Sequence, residues 1–172
     1  MTSVRLAVLA GFGATVLATP GHAQVLENFD ISGGYARLSD DDVDLDAVVV
    51  RGTIHANRYL SGELEVNFGV GDDMLAGSTV ELDSNWGVYA RGDLPLSDTG
   101  AVFARIGYVD QQTTSTLGSA SMSSNQDGWA AGVGGEVFFR GPNGVRVDYT
   151  HYDFDGEQSD AIAIAYVRRF SN

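Results

Sequence analysis

Apolar residues recur at every second position in segment after segment of this chain. Between 58 and 71, Leu60, Leu64, Val66, Phe68 and Val70 alternate with Ser61, Glu63, Glu65 and Asn67. From 79 to 93, Val80, Leu82, Trp86, Val88 and Ala90 share one parity, and Glu81, Asp83, Asn85, Tyr89 and Arg91 the other. Val145, Val147 and Tyr149 alternate with Arg146, Asp148 and Thr150, and Ile162, Ile164, Tyr166 and Phe170 with Ala161, Ala163, Ala165 and Arg169. A strand sends successive side chains to opposite faces, so this period predicts strands with one apolar and one polar face. Eight such segments can be marked, at 27–38, 44–57, 59–71, 79–93, 100–112, 126–139, 144–154 and 158–170. Beyond residue 24 no window keeps helical spacing, and no apolar run approaches the length of a membrane-crossing helix.

The connections fall into two classes. Ser39 to Val43, Asp72 to Ser78, Thr113 to Asn125 and Asp155 to Glu157 are acidic or rich in Ser and Thr. Asn57-Arg58, Leu94 to Thr99 and Arg140 to Gly144 read as tight turns carrying Pro, Gly or Asn. An antiparallel meander returns to the same side at alternate connections, so the polar loops gather at one end and the turns at the other. The pattern therefore predicts an all-β, eight-stranded antiparallel up-and-down barrel.

Which face points inward separates a soluble barrel from a membrane one. The polar faces hold Arg51, Arg91, Arg105, Arg146 and Arg169 against Glu63, Glu65, Glu81, Asp83, Glu136 and Asp148. That near balance stands out in a chain of 172 residues whose formal net charge is −13. Charges packed into a narrow lumen must be paired or cost several kcal/mol each, whereas a solvated face needs no matching. We therefore expect these eleven residues to form a lumen charge network and the apolar faces to meet lipid. Most remaining acids fall near the polar loops, with Arg37 almost alone among them, while Arg58, Arg140 and Arg168 lie near the turns. Tyr35, Tyr108, Trp129 and Tyr149 toward the loops, and Phe29, Phe139, Tyr166 and Phe170 toward the turns, have the placement of interfacial aromatic girdles.

Composition adds exclusions. The acidic balance argues against nucleic-acid binding, and the absence of cysteine removes disulfides and thiol chemistry. Arg5, an apolar run of thirteen residues from Leu6 to Ala18, and the small residues Gly21 and Ala23 together read as a secretory signal peptide over 1–23, cut before Gln24. Residues 24–172 then form the barrel domain.

The whole mature chain resembles the small eight-stranded outer-membrane β-barrels of Gram-negative bacteria, the OmpA-type, OmpX-type and opacity-like proteins. The closing hairpin from Val145 to Phe170 carries the likeness, with Ile162, Ile164, Tyr166 and Phe170 on the barrel-closing strand. Its terminal Phe resembles the signal read by the barrel assembly machinery, although Ser171-Asn172 follow it and Arg168 stands where an aromatic is common. The resemblance implies a monomer in the outer membrane, with lipid and lipopolysaccharide as its surroundings and no cofactor. The functional expectation is a non-enzymatic structural or surface-interaction protein acting through its loops; the alternatives are a narrow porin-like channel, a lipid A-modifying enzyme and a soluble lipocalin-like binder.

Candidate chemistry is sparse. The lipid A deacylase type needs a Ser two residues after its His, and His151 is followed there by Asp153. His55, beside Arg51 and Thr53, reads as a lumen hydrogen-bond partner. The acidic run from Asp40 to Asp46 lacks the Gly and Glu of an EF-hand, leaving a solvated loop or a loose divalent-cation site. Gly132, Gly134 and Gly135 precede no helix and serve close packing rather than phosphate binding.

Overall fold

The computed structural model describes residues 28–40, 43–70, 72–75, 78–117, 120–154 and 157–171, and side chains within them except over 71–83, 113–123, at 125 and at the edges of the other gaps. The strands are β1 (Asn28–Asp40), β2 (Val43–Asn57), β3 (Leu60–Gly69), β4 (Asp72–Leu75), β5 (Ser78–Ser97), β6 (Gly100–Leu117), β7 (Ala120–Arg140), β8 (Asn143–Phe154) and β9 (Glu157–Ser171). Each pairs antiparallel with its sequence neighbour, except that β3 and β4 both pair with β5. They are two lengths of one stave. β9 returns to β1, with Tyr35 opposite Ile164 and Phe29 opposite Phe170, so the sheet closes into an eight-stave barrel. Phe29 and Phe170 stack at 4.6 Å across this seam.

Strand alternation decides what each face meets. Along β3 and β8 burial switches at nearly every residue: Glu63, Glu65, Arg146 and Asp148 point inward, while Leu64, Val145 and Val147 point outward. The outer wall is correspondingly apolar, with Ile106, Val133, Ile162 and Ile164 each more than half exposed. Such a wall is stable only against hydrocarbon, and a closed barrel can enter hydrocarbon because it has no unpaired edge.

Narrow barrels need room for inward rings, and glycine supplies it. A Cβ on Gly107 would come 2.3 Å from the Val88 carbonyl oxygen and 2.5 Å from the Tyr89 ring. One on Gly134 would meet the Phe103 ring at 2.5 Å.

The turns are tighter than their composition suggests. Arg58-Tyr59, Asp98-Thr99 and Gly141-Pro142 are two-residue connections. The Asn57 side chain accepts from the amides of Tyr59 and Leu60, and Gly141 takes a positive φ of 58°. β5 accordingly continues through Pro95, which pairs near its end with Ala101.

The opposite end requires a larger correction. The segment from Thr113 to Asn125, read from its composition as a polar loop, continues the β6–β7 ladder from Thr113 opposite Ser124 to Leu117 opposite Ala120. Threonine is a β-branched residue that sits well in strands, so a segment rich in it can continue a ladder. Asp72 to Ser78 is likewise shortened by the β4–β5 pairing. Residues 1–27, containing the expected signal peptide, lie outside the described residues, as do Asp41 and Asp42 of the acidic run.

Candidate functional site

The lumen is the place where chemistry-bearing side chains converge. Parity delivers Arg51 from β2, Glu63 and Glu65 from β3, Arg91 from β5, Arg105 from β6, Glu136 from β7, and Arg146 and Asp148 from β8. Their side chains are at most 2% exposed. The structure brings these eight of the eleven candidates into one network. The Glu81 and Asp83 side chains lie outside the described residues. Arg169 joins the network at the turn-end mouth, 37% exposed and 3.8 Å from Glu136.

The arrangement is a shared lattice rather than a set of separate pairs. Glu63 accepts from Arg105 at 2.6 Å and from both terminal nitrogens of Arg146 at 2.5 and 3.0 Å. Glu65 accepts from Arg51 at 2.5 Å and Arg105 at 2.7 Å, with the Tyr89 and Tyr152 hydroxyls donating at 3.3 Å. Asp148 joins Arg51 and Arg146 at 3.0 Å and Arg105 at 3.2 Å. Glu136 accepts from Arg91 at 2.6 Å. Four buried arginines thus face four buried carboxylates, which offsets the desolvation each charge suffers inside the barrel.

Aromatic rings form the plates between these charges. The Arg91 and Arg146 guanidinium carbons stand 3.8 and 4.4 Å from the Phe103 centroid, and Arg105 lies 4.3 Å from that of Tyr89. Arginine suits this role because its flat, weakly hydrated head stacks while its edge donates.

Toward the turn end the network continues through Arg169 and His55, both expected in the lumen, and through Ser61 of the polar β3 face, and it adds Asp30 and Asp93, which sequence reading did not place in it. Asp30 accepts two bonds from Arg169 at 3.1 Å and contacts His55 at 3.0 Å. Ser61 lies 2.8 Å from the other His55 ring nitrogen and donates to Asp93 at 2.7 Å; Arg91 also donates to Asp93. Parity alone could have found them, since Asp30 shares a face with Ser32 and Asp93 with Arg91.

Toward the loop end the lumen turns apolar. Leu38, Leu45, Ala47, Val49, Val109, Tyr152 and Phe154 are buried together. Outside, at the same height, the wall becomes polar with Arg37, Asp44, Asp153 and Asp160. The two faces exchange character just beyond the belt of Tyr35, Tyr108, Trp129 and Tyr149. The signal was present in Leu45-Asp46 and Tyr152-Asp153-Phe154, where the apolar positions switch parity.

At this rim Ser39 and then Arg37 hold the Asp44 carboxyl below the usual carboxylate range by hydrogen bonding. Tyr149 and His151 do the same for Asp160, at 2.6 and 2.8 Å. His151 is therefore engaged with a carboxylate, not a hydroxyl nucleophile. Among the described residues no group of three metal-ligating side chains converges. Gly132 and Gly134 pack against Thr150, Arg105 and Phe103. Ile162, Ile164, Tyr166 and Phe170 all face outward on β9.

Comparison with known proteins places this architecture. The sequence profile of the family described as "Outer membrane protein beta-barrel domain" matches residues 5–170. Among solved structures, the chain is similar to Ail, the attachment invasion locus protein of Yersinia pestis, with a TM-score of 0.65 and 14% identity over 83% of this chain and 98% of that one. It is similar to the N-terminal β-barrel domain of Pseudomonas aeruginosa OprF, with a TM-score of 0.64 and 9% identity, covering 84% and 98% of the two chains. Neisserial surface protein A follows at 0.63 and 9%, covering 84% and 96%. No curated protein sequence matches the chain.

Proposed function

Since the chain belongs to the outer membrane protein beta-barrel family, we propose that this outer-membrane barrel is a non-enzymatic structural and surface-interaction protein, working through its acidic and Ser/Thr-rich loop end. The observation that carries the reading is the filled lumen. Eight charged side chains interlock within it at no more than 2% exposure, with an apolar tier above them. An eight-stave barrel has only enough interior for its own side chains, and these occupy it. Recognition then falls to the exterior.

The long β6–β7 ribbon lifts its Ser and Thr residues beyond the aromatic belt, and Asp44, Asp153 and Asp160 ring the same end. A partner complementary to this rim is basic. Ail was crystallised with a heparin analogue, a polyanion; the acidic rim here favours ligands of the opposite sign. Residues 1–23 act in this reading as a cleaved export signal, and β9, which closes on β1, presents Phe170 to the assembly machinery.

Two measurements test the proposal. Purified protein in planar bilayers gives no steady conductance, and an epitope inserted at Gly118 is labelled on intact cells. Large, stable, ion-selective steps would replace this function with a channel; labelling only from the periplasmic side would invert the topology.

A further inference from the structure

The turn-end mouth of the barrel holds a cavity of about 330 Å3, and the charge lattice closes the lumen beyond it. Glu136 of β7 and Asp93 of β5 stand at its base, with side chains 1% and 8% exposed. Both lean on a single guanidinium, since Arg91 lies 2.6 Å from Glu136 Oε1 and 2.6 Å from Asp93 Oδ1. Two carboxylates therefore share one cation. The second Glu136 oxygen, Oε2, is buried and has no hydrogen-bond partner. Arg169, held by both oxygens of Asp30 at 3.1 Å, stops 3.8 Å short of it. His55 spends its two ring nitrogens on Asp30 and Ser61. A buried acceptor without a donor is costly, and the cavity is where a donor can arrive.

Apolar walls rise from this base. Phe138, Pro95 and Ala101 line the cavity, and Asp98 of the β5–β6 turn stands on its rim. Ala101 is the register partner of Glu136, which sets Asp98 three residues, about 10 Å of strand, nearer the water. Arg58, also on the rim, stacks on the exposed Tyr59 ring at 4.8 Å.

We propose that this cavity binds a linear aliphatic diamine. One ammonium enters between Glu136 and Asp93, where it supplies the donor that Oε2 lacks and a second cation for the two carboxylates. The methylene chain lies along Phe138, Pro95 and Ala101, and the other ammonium reaches Asp98. An anion would instead meet three carboxylates. The site lies at the end opposite the acidic rim, so it stands independently of the surface role proposed above.

The test is isothermal titration calorimetry of the folded protein in neutral detergent at fixed ionic strength, with 1,4-diaminobutane, n-butylamine and lysine as probes. One equivalent of the diamine binds, and n-butylamine, which has no group for Asp98, binds about threefold more weakly because that outer pair stays in water. Lysine, whose carboxylate would face Asp98, also binds more weakly than the diamine. Asp98→Asn makes the diamine and n-butylamine equal. Glu136→Gln weakens both about tenfold, and Ala101→Leu, which narrows the cavity without touching a charge, weakens both similarly. Asp153→Asn, exposed at the opposite end, changes neither. The unboiled gel shift verifies that each variant is folded. Equal effects of Ala101→Leu and Asp153→Asn, lysine bound as tightly as the diamine, or no binding by the wild type would each overturn the assignment.

Discussion

Replacing Arg105 by Met probes the lumen where it is most densely connected. The guanidinium donates to Glu63 at 2.6 Å, Glu65 at 2.7 Å, Asp148 at 3.2 Å and Thr150 at 2.6 Å. Its side chain has no exposed surface. Methionine keeps much of the volume and the contact with Tyr89, so the loss is electrostatic. Removing one partner from a buried ionic cluster costs about 3–5 kcal/mol, because the charge left behind stays desolvated. Arg146 still serves Glu63, and Arg51 still serves Glu65 and Asp148, which holds the cost within that range although three carboxylates lose a donor. The exposed Arg37–Asp44 pair provides the contrast: solvent screens it, and Arg37→Met leaves the midpoint close to that of the wild type. A double variant, Arg105→Met with Glu65→Gln, restores charge balance and costs about 1–3 kcal/mol less than the sum of the singles. Urea titration in phospholipid vesicles, followed by tryptophan fluorescence and the unboiled gel shift, reads each value. An Arg105→Met midpoint equal to that of the wild type would refute the account of the lumen as a coupled network.

Two further outcomes follow from the wall and the packing. Val88→Arg on the outer face of β5 destabilises the inserted barrel by about 2–4 kcal/mol if it lies near the bilayer midplane; vesicle titrations matching the wild type would place that face elsewhere. Gly107→Val yields little folded barrel, because its Cβ would fall 2.3 Å from the Val88 carbonyl oxygen, whereas Gly62→Ala, with open space around it, folds normally; the fraction of heat-modifiable protein measures both.

The strands and their two faces were legible because both follow from a local rule. Alternation at period two assigns a side to the described side chains of β3, β8 and β9, and of β5 from Ser84 to Pro95, without knowledge of any contact. The division into turns and loops was legible for the same reason, since Asn57, Pro142 and Gly141 act on their immediate neighbours. Closure could be expected from the even number of segments and from an apolar face that water would not tolerate.

Other features depended on distance and on height. Arg146 meets Glu63 across 83 positions of sequence, and Arg51 meets Asp148 across 97. Such meetings are fixed by register and closure, not by either strand alone. Phe103 between two arginines, and Asp30 joined to Arg169 across the seam, belong to the same class. The Ser/Thr segment read as a loop because composition reports solvent, and a paired ribbon in solvent has that composition too. The apolar tier around Leu45, Tyr152 and Phe154 was hidden by a further effect. Parity names a face, but the medium that face meets changes where the barrel leaves the membrane: below the tyrosine belt lipid lies outside and charges lie within, and above it water lies outside and the apolar side chains turn inward.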